Sequence, residues 1–504
     1  MVNLNKIILR SALVASYIVI ITIIISGISS LFVYANTGAD RSSMLHTKLE
    51  KIEKYIPEVT WTPLNNVGRE MNDEILNKLE DDYLDSWYVK HLAYLTNTTA
   101  GIKDYYTDNS RLNIFEIIDY NLKEMVTVES TTLKHHPTLE FFSEDGQLAV
   151  ITDKDVLEYK RVFKEEKMIL ETTEKSTYKI IFLLEDGFWR IRHFVKEKSE
   201  RFKPKPSLIA VRNLNIKGIN YYPQATPWDM FGDDFLKSTI SNDFKIIKNS
   251  GLNSIRVFVQ YDDFGKADID KEKLQKLRIT LDAAEENCLD VIVTLFDFYG
   301  DYSVLNWTLN MHHVKTIISE LKEHKAIIAW DIKNEPNLDF DSRGKVNVIS
   351  WLNNMIDFVK SIDPNHPVTI GWSNVQSASI LKDKVDFVSF HYYEDIQDLD
   401  LAIKDLKKDL GEKPIVLQEF GLSSYSGIWK PIGSSDQYQA NYHKKAQEII
   451  AANNLQFMSW TLYDFEVVPT QVVGSLPWRK NVQKRFGFID VYGTKKPAFK
   501  YISQ

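Results

Sequence analysis

Cysteine is almost absent from this chain of 504 residues, since Cys288 is its only one. A single cysteine can form no internal disulfide and builds no cysteine-ligated metal site. The chain also lacks an excess of basic residues: 61 lysines and arginines stand against 69 aspartates and glutamates, for a net charge of −8. Nucleic-acid-binding proteins usually present a basic face, so the charge balance argues against that class. Hydrophobic residues make up 44% and charged residues 26%, which is typical of globular domains and not of long disorder.

A long uncharged apolar run occurs at the N-terminus, from Ser11 to Ala35, and Lys6 and Arg10 precede it. About 20 apolar residues suffice for a helix to cross a bilayer. The basic residues on the N-terminal side favour a cytoplasmic N-terminus. We therefore expect a transmembrane signal anchor at residues 11–35, a cytoplasmic segment at 1–10 and all later domains outside the cytoplasm at the cell membrane. The alternative is a signal peptide cleaved after Ala35, which would release a secreted protein.

Residues 42–200 predict a smaller α+β accessory domain. Helical spacing of apolar residues at Glu70–Leu95 and Ile114–Leu122 is followed by alternation from Leu139 onward. Three long strands are predicted, with Glu-Asp-Gly turns before the first and third: Leu148–Phe163, Met168–Leu184 and Phe188–Val195. Helices followed by a bent sheet resemble the cone-shaped fold of the nuclear-transport-factor-2-like superfamily. This resemblance implies possible envelope or polysaccharide-synthesis partners for residues 42–200.

Two smaller features complete this region. His135 and His136 precede a proline, so we expect them to be loop residues and not an acid–base pair. Residues 201–212 are charged and proline-rich, which predicts a linker.

From residue 213 to the end, short β-branched runs alternate with amphipathic stretches. The predicted strands are Ile216–Tyr221, Ser254–Val259, Val291–Phe296, Ile327–Ile332, Val368–Gly371, Phe387–His391, Ile415–Glu419 and Phe457–Thr461. Helices are predicted at Asp234–Asn249, Lys271–Asn287, Met311–His324, Val346–Ile362 and Gln437–Ala452. Eight strands with helix-length connections predict a (β/α)₈ TIM barrel. A doubly wound open sheet, the alternative, would place a glycine-rich loop after its first strand, whereas residues 221–228 read YYPQATPW.

Active sites of such barrels lie at the C-terminal ends of the strands. Two glutamates are predicted there: Glu335, within Asn334-Glu335-Pro336 after strand 4, and Glu419 at the end of strand 7. Two facing carboxylates are what glycoside hydrolysis requires, one protonated and one ionised. The other residues predicted at this rim are Arg256, Trp372, His391, Tyr393 and Trp460.

The neighbours of the two glutamates suggest their ionisation states. Tyr393, His391 and Arg256 are candidate hydrogen-bond donors to Glu419, so we expect them to lower the pKa of Glu419. We expect the negative charge of Glu419 to raise the pKa of Glu335 in turn.

In the order and spacing of these residues, the chain from Ile216 to about Tyr492 resembles glycoside hydrolase family 5, the cellulase and mannanase type of retaining barrel. The resemblance implies Glu335 as acid/base and Glu419 as nucleophile, with Arg256, Asn334, Trp372, His391, Tyr393 and Trp460 as substrate-binding residues. Strand 3 departs from the pattern, because Asp297 follows Phe296 where the family commonly carries a histidine. Asp297 is therefore an additional candidate substrate contact, and Trp228, Trp307, Trp429 and Trp478 are candidate walls of further subsites.

These observations together predict a membrane-anchored retaining glycosidase that acts on an extracytoplasmic β-glucan or β-mannan. No cofactor is expected, since the sequence has no glycine-rich phosphate loop or nicotinamide fingerprint. No metal is expected either, because the adjacent His312 and His313 do not share a helix face. Two alternatives stay open: a barrel that binds carbohydrate with little or no turnover, and a polysaccharide assembly factor at the cell envelope.

Overall fold

The computed structural model describes residues 16–17, 19–24, 27, 55–203, 214–427 and 434–503. In this part of the chain, no helix combines the length and the apolar character needed to cross a membrane. Most of the predicted anchor, residues 11–35, and most of the predicted linker, residues 201–212, lie outside the described residues. Both remain predictions.

Residues 55–203 form three helices and a seven-stranded sheet. The helices are α1 (Asp73–Thr96), α2 (Ile102–Tyr105) and α3 (Asp108–Glu124). The strands are β1 (Glu58–Val59), β2 (Val67–Gly68), β3 (Val126–His135), β4 (Pro137–Phe142), β5 (Leu148–Lys164), β6 (Lys167–Glu185) and β7 (Phe188–Arg201). The Asn72 side chain caps α1 by accepting a hydrogen bond from the Ile75 backbone N–H at 2.9 Å. Strand β5 pairs with β3, β4 and β6, and β6 pairs with β7.

The strand β3 and the position of His135 were not predicted. His135 ends this strand fully buried, and its ring contacts Asp153 Oδ2 and Thr132 Oγ1, each at 2.6 Å. The prediction of a loop residue was therefore wrong for His135. The physical reason is that the buried positions of β3 include Ser130, Thr131 and Thr132, so polar side chains stand where buried hydrophobic residues usually mark a strand. Ser130 bonds to His91, and Thr132 bonds to His135.

Residues 214–503 contain a closed barrel of eight parallel strands, which confirms the predicted barrel. Its strands are β8 (Lys217–Asn220), β9 (Ser254–Gln260), β10 (Asp290–Asp297), β11 (Ile327–Asn334), β12 (Val368–Trp372), β13 (Val388–Tyr392), β14 (Ile415–Phe420) and β15 (Gln456–Ser459). Each strand pairs in parallel with the next, and β15 pairs with β8, so the sheet closes. An open doubly wound sheet is thereby excluded.

Helices connect the strands of this barrel or follow its last strand. They are α4 (Lys237–Asn249), α5 (Lys271–Glu286), α6 (Trp307–Leu321), α7 (Phe340–Arg343), α8 (Lys345–Ile362), α9 (Val375–Ala378), α10 (Leu399–Leu410), α11 (Asp436–Ala452), α12 (Thr470–Val473) and α13 (Pro477–Gln483). The main hydrophobic core lies between strands and helices. A second apolar cluster, built from Ile216, Ile292, Ala329, Phe387, Val416 and Met458, includes residues from four of the strands.

The N-terminal region packs against helices α6 and α8 of the barrel. The ring of Tyr159 lies 4.3 Å from the ring of Trp307, centroid to centroid. The Tyr159 hydroxyl donates to Glu171 Oε1 at 2.6 Å, and the Ser350 hydroxyl donates to the same oxygen at 2.7 Å. Trp307 is fully buried in this contact, so it lines no carbohydrate subsite, contrary to expectation.

We predict that Tyr159→Ala lowers the free energy of unfolding by about 3 kcal/mol, because it removes a buried ring from the contact between the two regions. Equilibrium unfolding in urea measures the loss. Tyr438→Ala is the matched control, since Tyr438 is exposed and the same truncation there leaves no cavity. Equal stabilities of the two variants would contradict this account of the interface.

Candidate active site

A cleft of ≈ 400 Å³ opens where the barrel strands end. Its lining combines carboxylates with aromatic and apolar side chains: Tyr222, Trp228, Phe258, Asp297, Phe298, Asn334, Glu335, Tyr393, Glu419, Trp460, Val472, Val473, Gln483 and Phe486. An apolar cavity with a few convergent polar groups is the usual form of a ligand site.

Glu335 enters the cleft directly after β11. Its backbone is left-handed, with φ 50°, which is uncommon for a residue with a side chain and recurs at functional sites. The Glu335 backbone N–H donates to the carbonyl oxygen of Gly371 at 2.7 Å, and Pro336 begins a short 3₁₀ helix behind it. His391 Nδ1 lies 2.8 Å from Glu335 Oε1, within hydrogen-bond distance. The turn therefore holds the carboxylate over the barrel axis from both its backbone and its side chain.

Glu419 approaches the same point from β14. The Tyr393 hydroxyl donates to Glu419 Oε1 at 2.5 Å, and Arg256 Nη1 donates to Glu419 Oε2 at 3.4 Å. His391 Nδ1 is 3.8 Å from Glu419 Oε2, too far for a hydrogen bond. Two of the three predicted donors thus reach Glu419, and the third turns to Glu335. One oxygen of each glutamate and one His391 nitrogen all lie within 4.8 Å of one another.

Arg256 lies beneath the two glutamates and has no exposed surface. Its strongest contact is with Asp331 Oδ2, to which Nη2 donates at 2.6 Å and Nε at 3.1 Å. It also donates to Asn334 Oδ1 at 3.0 Å and to Asn220 Oδ1 at 3.2 Å. Asp331 was not among the site residues predicted from the sequence. An acid three residues before Asn334 in an otherwise apolar strand was the available signal.

Asp331 also connects to Glu335 through the backbone of Gly371. The Gly371 N–H donates to Asp331 Oδ1 at 2.9 Å, while the Gly371 carbonyl accepts from Glu335 N–H. A Cβ on Gly371 would lie 2.6 Å from Gln418 Oε1 and 2.8 Å from Arg256 Nη2. A larger residue here would displace Arg256, which explains the glycine at this position.

The directions of the pKa shifts are opposite to those expected. Burial raises the pKa of Glu335, but the hydrogen bond and charge of His391, with the charge of Arg256, outweigh burial and lower it. Burial raises the pKa of Glu419, and the negative charge of Glu335 adds to burial, whereas His391, Arg256 and Tyr393 only partly offset both. The reason is structural: Asp331 takes the shortest hydrogen bond of Arg256, and His391 bonds to Glu335.

The structure separates the predicted substrate-binding residues into three groups. Asn334, Tyr393, Trp460 and Asp297 line the cleft. Arg256 and His391 are fully buried and are not part of its lining; Arg256 contacts Glu419, and His391 contacts Glu335. Trp372 is 1% exposed and packs against Phe340, so it does not reach the cleft.

The four tryptophans expected to wall further subsites also differ in position. Trp228 lines the cleft, Trp307 is in the domain contact, and Trp429 lies outside the described residues. Trp478 is 41% exposed and is not part of the lining.

Several aromatic walls of the cleft were missed by the sequence analysis. Tyr222 stacks on Phe258 with ring centroids 5.2 Å apart, next to the predicted residues Trp228 and Trp460, whose rings lie 5.9 Å apart. Val472, Val473 and Phe486 come from the long segment after β15. The aromatic loop at residues 221–228 was visible in the sequence, but nothing in its pattern showed which rings turn inward.

Glu335, His391 and Glu419 also have donor atoms close enough to hold a metal ion. Their surroundings fit a cation poorly, because the positively charged Arg256 already bonds to Glu419. Two coupled carboxylates with adjacent donors suit proton transfer and attack on a carbon centre. The arrangement therefore favours acid–base and nucleophilic chemistry.

Comparison with known proteins supports this interpretation. A sequence model of the cellulase family, glycosyl hydrolase family 5, matches residues 211–466. A putative mannan endo-1,4-beta-mannosidase 4 of Arabidopsis thaliana is 31% identical over 181 residues, which cover 27% of this chain and 43% of that protein. A beta-glucuronidase of Chlorocebus aethiops is 23% identical over 295 residues, covering 53% of this chain and 41% of that protein. The chain thus spans less than half the length of these curated relatives.

Among solved structures, the exo-beta-1,4-mannosidase Op5Man5 from Opitutaceae bacterium strain TAV5 is similar with a TM-score of 0.48 and 17% identity. The match covers 57% of this chain and 58% of that one.

We predict that Asp331→Ala lowers the free energy of unfolding by about 3–5 kcal/mol, because it leaves Arg256 buried without its main counter-charge. Urea unfolding measures the loss, with the exposed Asp341→Ala as control. Adding Arg256→Met to Asp331→Ala should recover part of the loss, since the uncompensated charge is then gone. A loss below about 1 kcal/mol would show that the ion pair is not what stabilises the rim.

Proposed function

Because this chain belongs to glycosyl hydrolase family 5, we propose that it is a retaining β-glycosidase that cleaves a β-linked polysaccharide. The observation that carries the proposal is the pair Glu335 and Glu419, with oxygens within 4.8 Å of each other in a cleft walled by aromatic rings. Retaining enzymes hold their carboxyl groups about 5–5.5 Å apart, whereas inverting enzymes leave about 6.5–9.5 Å for a water molecule. The short separation supports attack by a carboxylate.

In the proposed reaction, a Glu419 oxygen attacks the anomeric carbon while Glu335 protonates the departing glycosidic oxygen. The C–O bond to the leaving group breaks, and a glycosyl ester of Glu419 forms. Glu335, now ionised, removes a proton from water, which attacks the same carbon and releases Glu419. Two inversions at one carbon give net retention. Tyr393 and Arg256 hold Glu419 in position through their hydrogen bonds.

The pKa directions do not by themselves assign these roles. Two carboxylates this close share one proton and titrate as a unit. Burial and the adjacent Glu335 charge favour the proton on Glu419, whereas attack requires it on Glu335. His391 lies between the pair, at 2.8 Å and 3.8 Å. We propose that a bound sugar, which separates the carboxylates, places the proton on Glu335.

The substrate is proposed to be a β-mannan or β-glucan. Mannan endo-1,4-beta-mannosidases among the relatives support the first, and Tyr222, Trp228 and Trp460 provide rings on which pyranoses stack. Residues 11–35 are proposed to anchor the chain in the cell membrane with the barrel outside. Residues 42–200 are proposed to have a nuclear-transport-factor-2-like fold and to contact envelope or polysaccharide-synthesis partners. Three helices followed by long antiparallel strands support this assignment.

We predict that Glu419→Gln abolishes hydrolysis of every substrate, because the Glu419 oxygen must form the glycosyl–enzyme bond. Glu335→Ala should still release an activated aryl group in a burst and then stall, since no base activates water; acid–base assistance contributes about 10²–10⁴-fold. Azide, which needs no base, should restore turnover of Glu335→Ala and give a β-glycosyl azide. Product anomers are read by NMR.

The exposed Glu394→Gln is the matched control and should turn over normally. An α-azide from Glu335→Ala together with a β-azide from Glu419→Ala would reverse the two roles. An inverted first product from the unmodified enzyme would refute the retaining mechanism. Binding of oligosaccharides without hydrolysis would favour the carbohydrate-binding alternative.

We predict that the protein stays with membranes after a high-salt wash, because an anchoring helix at residues 11–35 is held by the hydrophobic effect and not by charge. Protease added to intact cells should remove the barrel. A soluble form beginning near Asn36 would instead establish cleavage of a signal peptide.

A further inference from the structure

Asp297 is a buried charge in the cleft that the proposed reaction does not use. It ends β10, lines the cleft and is 4% exposed. The Tyr222 hydroxyl donates to its Oδ2 at 3.3 Å, a long hydrogen bond, and the Phe298 backbone also donates to the carboxylate. A buried carboxylate is normally paired with a cation or held by several short hydrogen bonds. Asp297 has neither.

The nearby cations are engaged with other acids. Arg256 bonds to Asp331 and Glu419. Lys333 lies 3.4 Å from Asp339 and donates to the Asn334 carbonyl at 3.2 Å. Burial accordingly raises the pKa of Asp297 to about 6, although Lys333 and Arg256 lower it in part. The carboxylate faces the cleft with its charge incompletely compensated.

The groove stays acidic beyond Asp297. Trp228, Asp297 and Phe298 also line an adjoining depression of ≈ 840 Å³, which adds Asp229, Asp262 and Asp263. Within the described residues, no lysine or arginine lines either part. Lys266 and Lys273 pair with Asp262 and Asp263, whereas Asp297 and Asp229 form no ion pair within the described residues. The carboxylates of a polymer of uronic acids would meet the negative charge of Asp297 here.

Trp460 supplies an independent sign of a polar ligand in the same cleft. It is 5% exposed, lines the cleft beside Asp297, and its indole N–H has no hydrogen-bond partner in the described structure. A buried donor without a partner is costly unless a ligand accepts from it. Oxygen atoms of a sugar are such acceptors.

We propose that Asp297 recognises a protonated amino group, so that the glycan held in this cleft contains hexosamine residues without N-acyl groups. The inference rests on the proposed function, because it names the substrate class of the same cleft. A sugar hydroxyl donates a hydrogen bond to Asp297 but leaves its negative charge uncompensated. An ammonium group does both, and Asp229 in the adjoining depression extends the attraction to a neighbouring amino sugar.

Binding to the Glu335→Gln variant, which prevents turnover, tests the proposal by calorimetry. The probes are hexamers of β-1,4-linked glucosamine, of its N-acetylated form and of glucose. We expect the glucosamine hexamer to bind about tenfold or more tightly than the other two, as one charge-assisted hydrogen bond allows. The preference should weaken as salt rises. Adding Asp297→Asn should bring the ratio of Kd values close to one, whereas the exposed Asp405→Asn, the matched control, should leave it.

Equal binding of the three hexamers, or tighter binding of a neutral one, would overturn the inference. Loss of preference in Asp405→Asn as well would also overturn it, since net charge and not Asp297 would then be responsible. Hydrolysis of neutral β-glycans by the unmodified enzyme, without any preference for amino sugars, would refute this inference and support the proposed function. Preferential binding of glucosamine without hydrolysis of any probe would support the recognition and refute the glycosidase.

Discussion

Arg256 carries a full positive charge with no contact to water, and the rim of the barrel depends on holding it there. Removing a guanidinium from water costs several kcal/mol unless anions and acceptors replace the solvent. Asp331 supplies the anion, and the other hydrogen-bond acceptors are Asn220, Thr294, Asn334 and Glu419. These partners come from β8, β10, β11 and β14. One buried cation therefore fixes the relative positions of four strand ends.

The same cation determines how charge is distributed around the two glutamates. Asp331 binds Arg256 more closely than Glu419 does, so Glu419 keeps much of the cost of its burial. His391 bonds to Glu335 and lowers its pKa. The pKa of Glu419 is thus raised and that of Glu335 lowered, which is the opposite of what attack by Glu419 requires. Sugar binding, in the proposed mechanism, has to supply the difference.

The barrel could be predicted because its strands are short apolar runs at helix-length spacing, and Glu335 and Glu419 could be placed because each follows such a run. The direction in which a side chain points was not predictable. Trp372 is the last residue of β12, and Trp460 directly follows β15. Trp372 nevertheless packs into the barrel wall, whereas Trp460 lines the cleft. Strand β3 was missed because most of its buried side chains are polar. Such positions are decided by tertiary partners, which no local pattern contains.

The position of the N-terminal region bears on how the two parts can work together. Tyr159 contacts Trp307 of helix α6, and Glu171 accepts a hydrogen bond from Ser350 of helix α8. No residue of 55–203 lines the cleft. Its interior is filled by rings such as Trp87 and Tyr83 and by the buried His135–Asp153 pair, both of whose side chains are fully buried. A filled interior leaves the outer surface as the part able to contact a partner. Contacts made there would leave the cleft open, so a polysaccharide could occupy the barrel while the N-terminal region is engaged elsewhere.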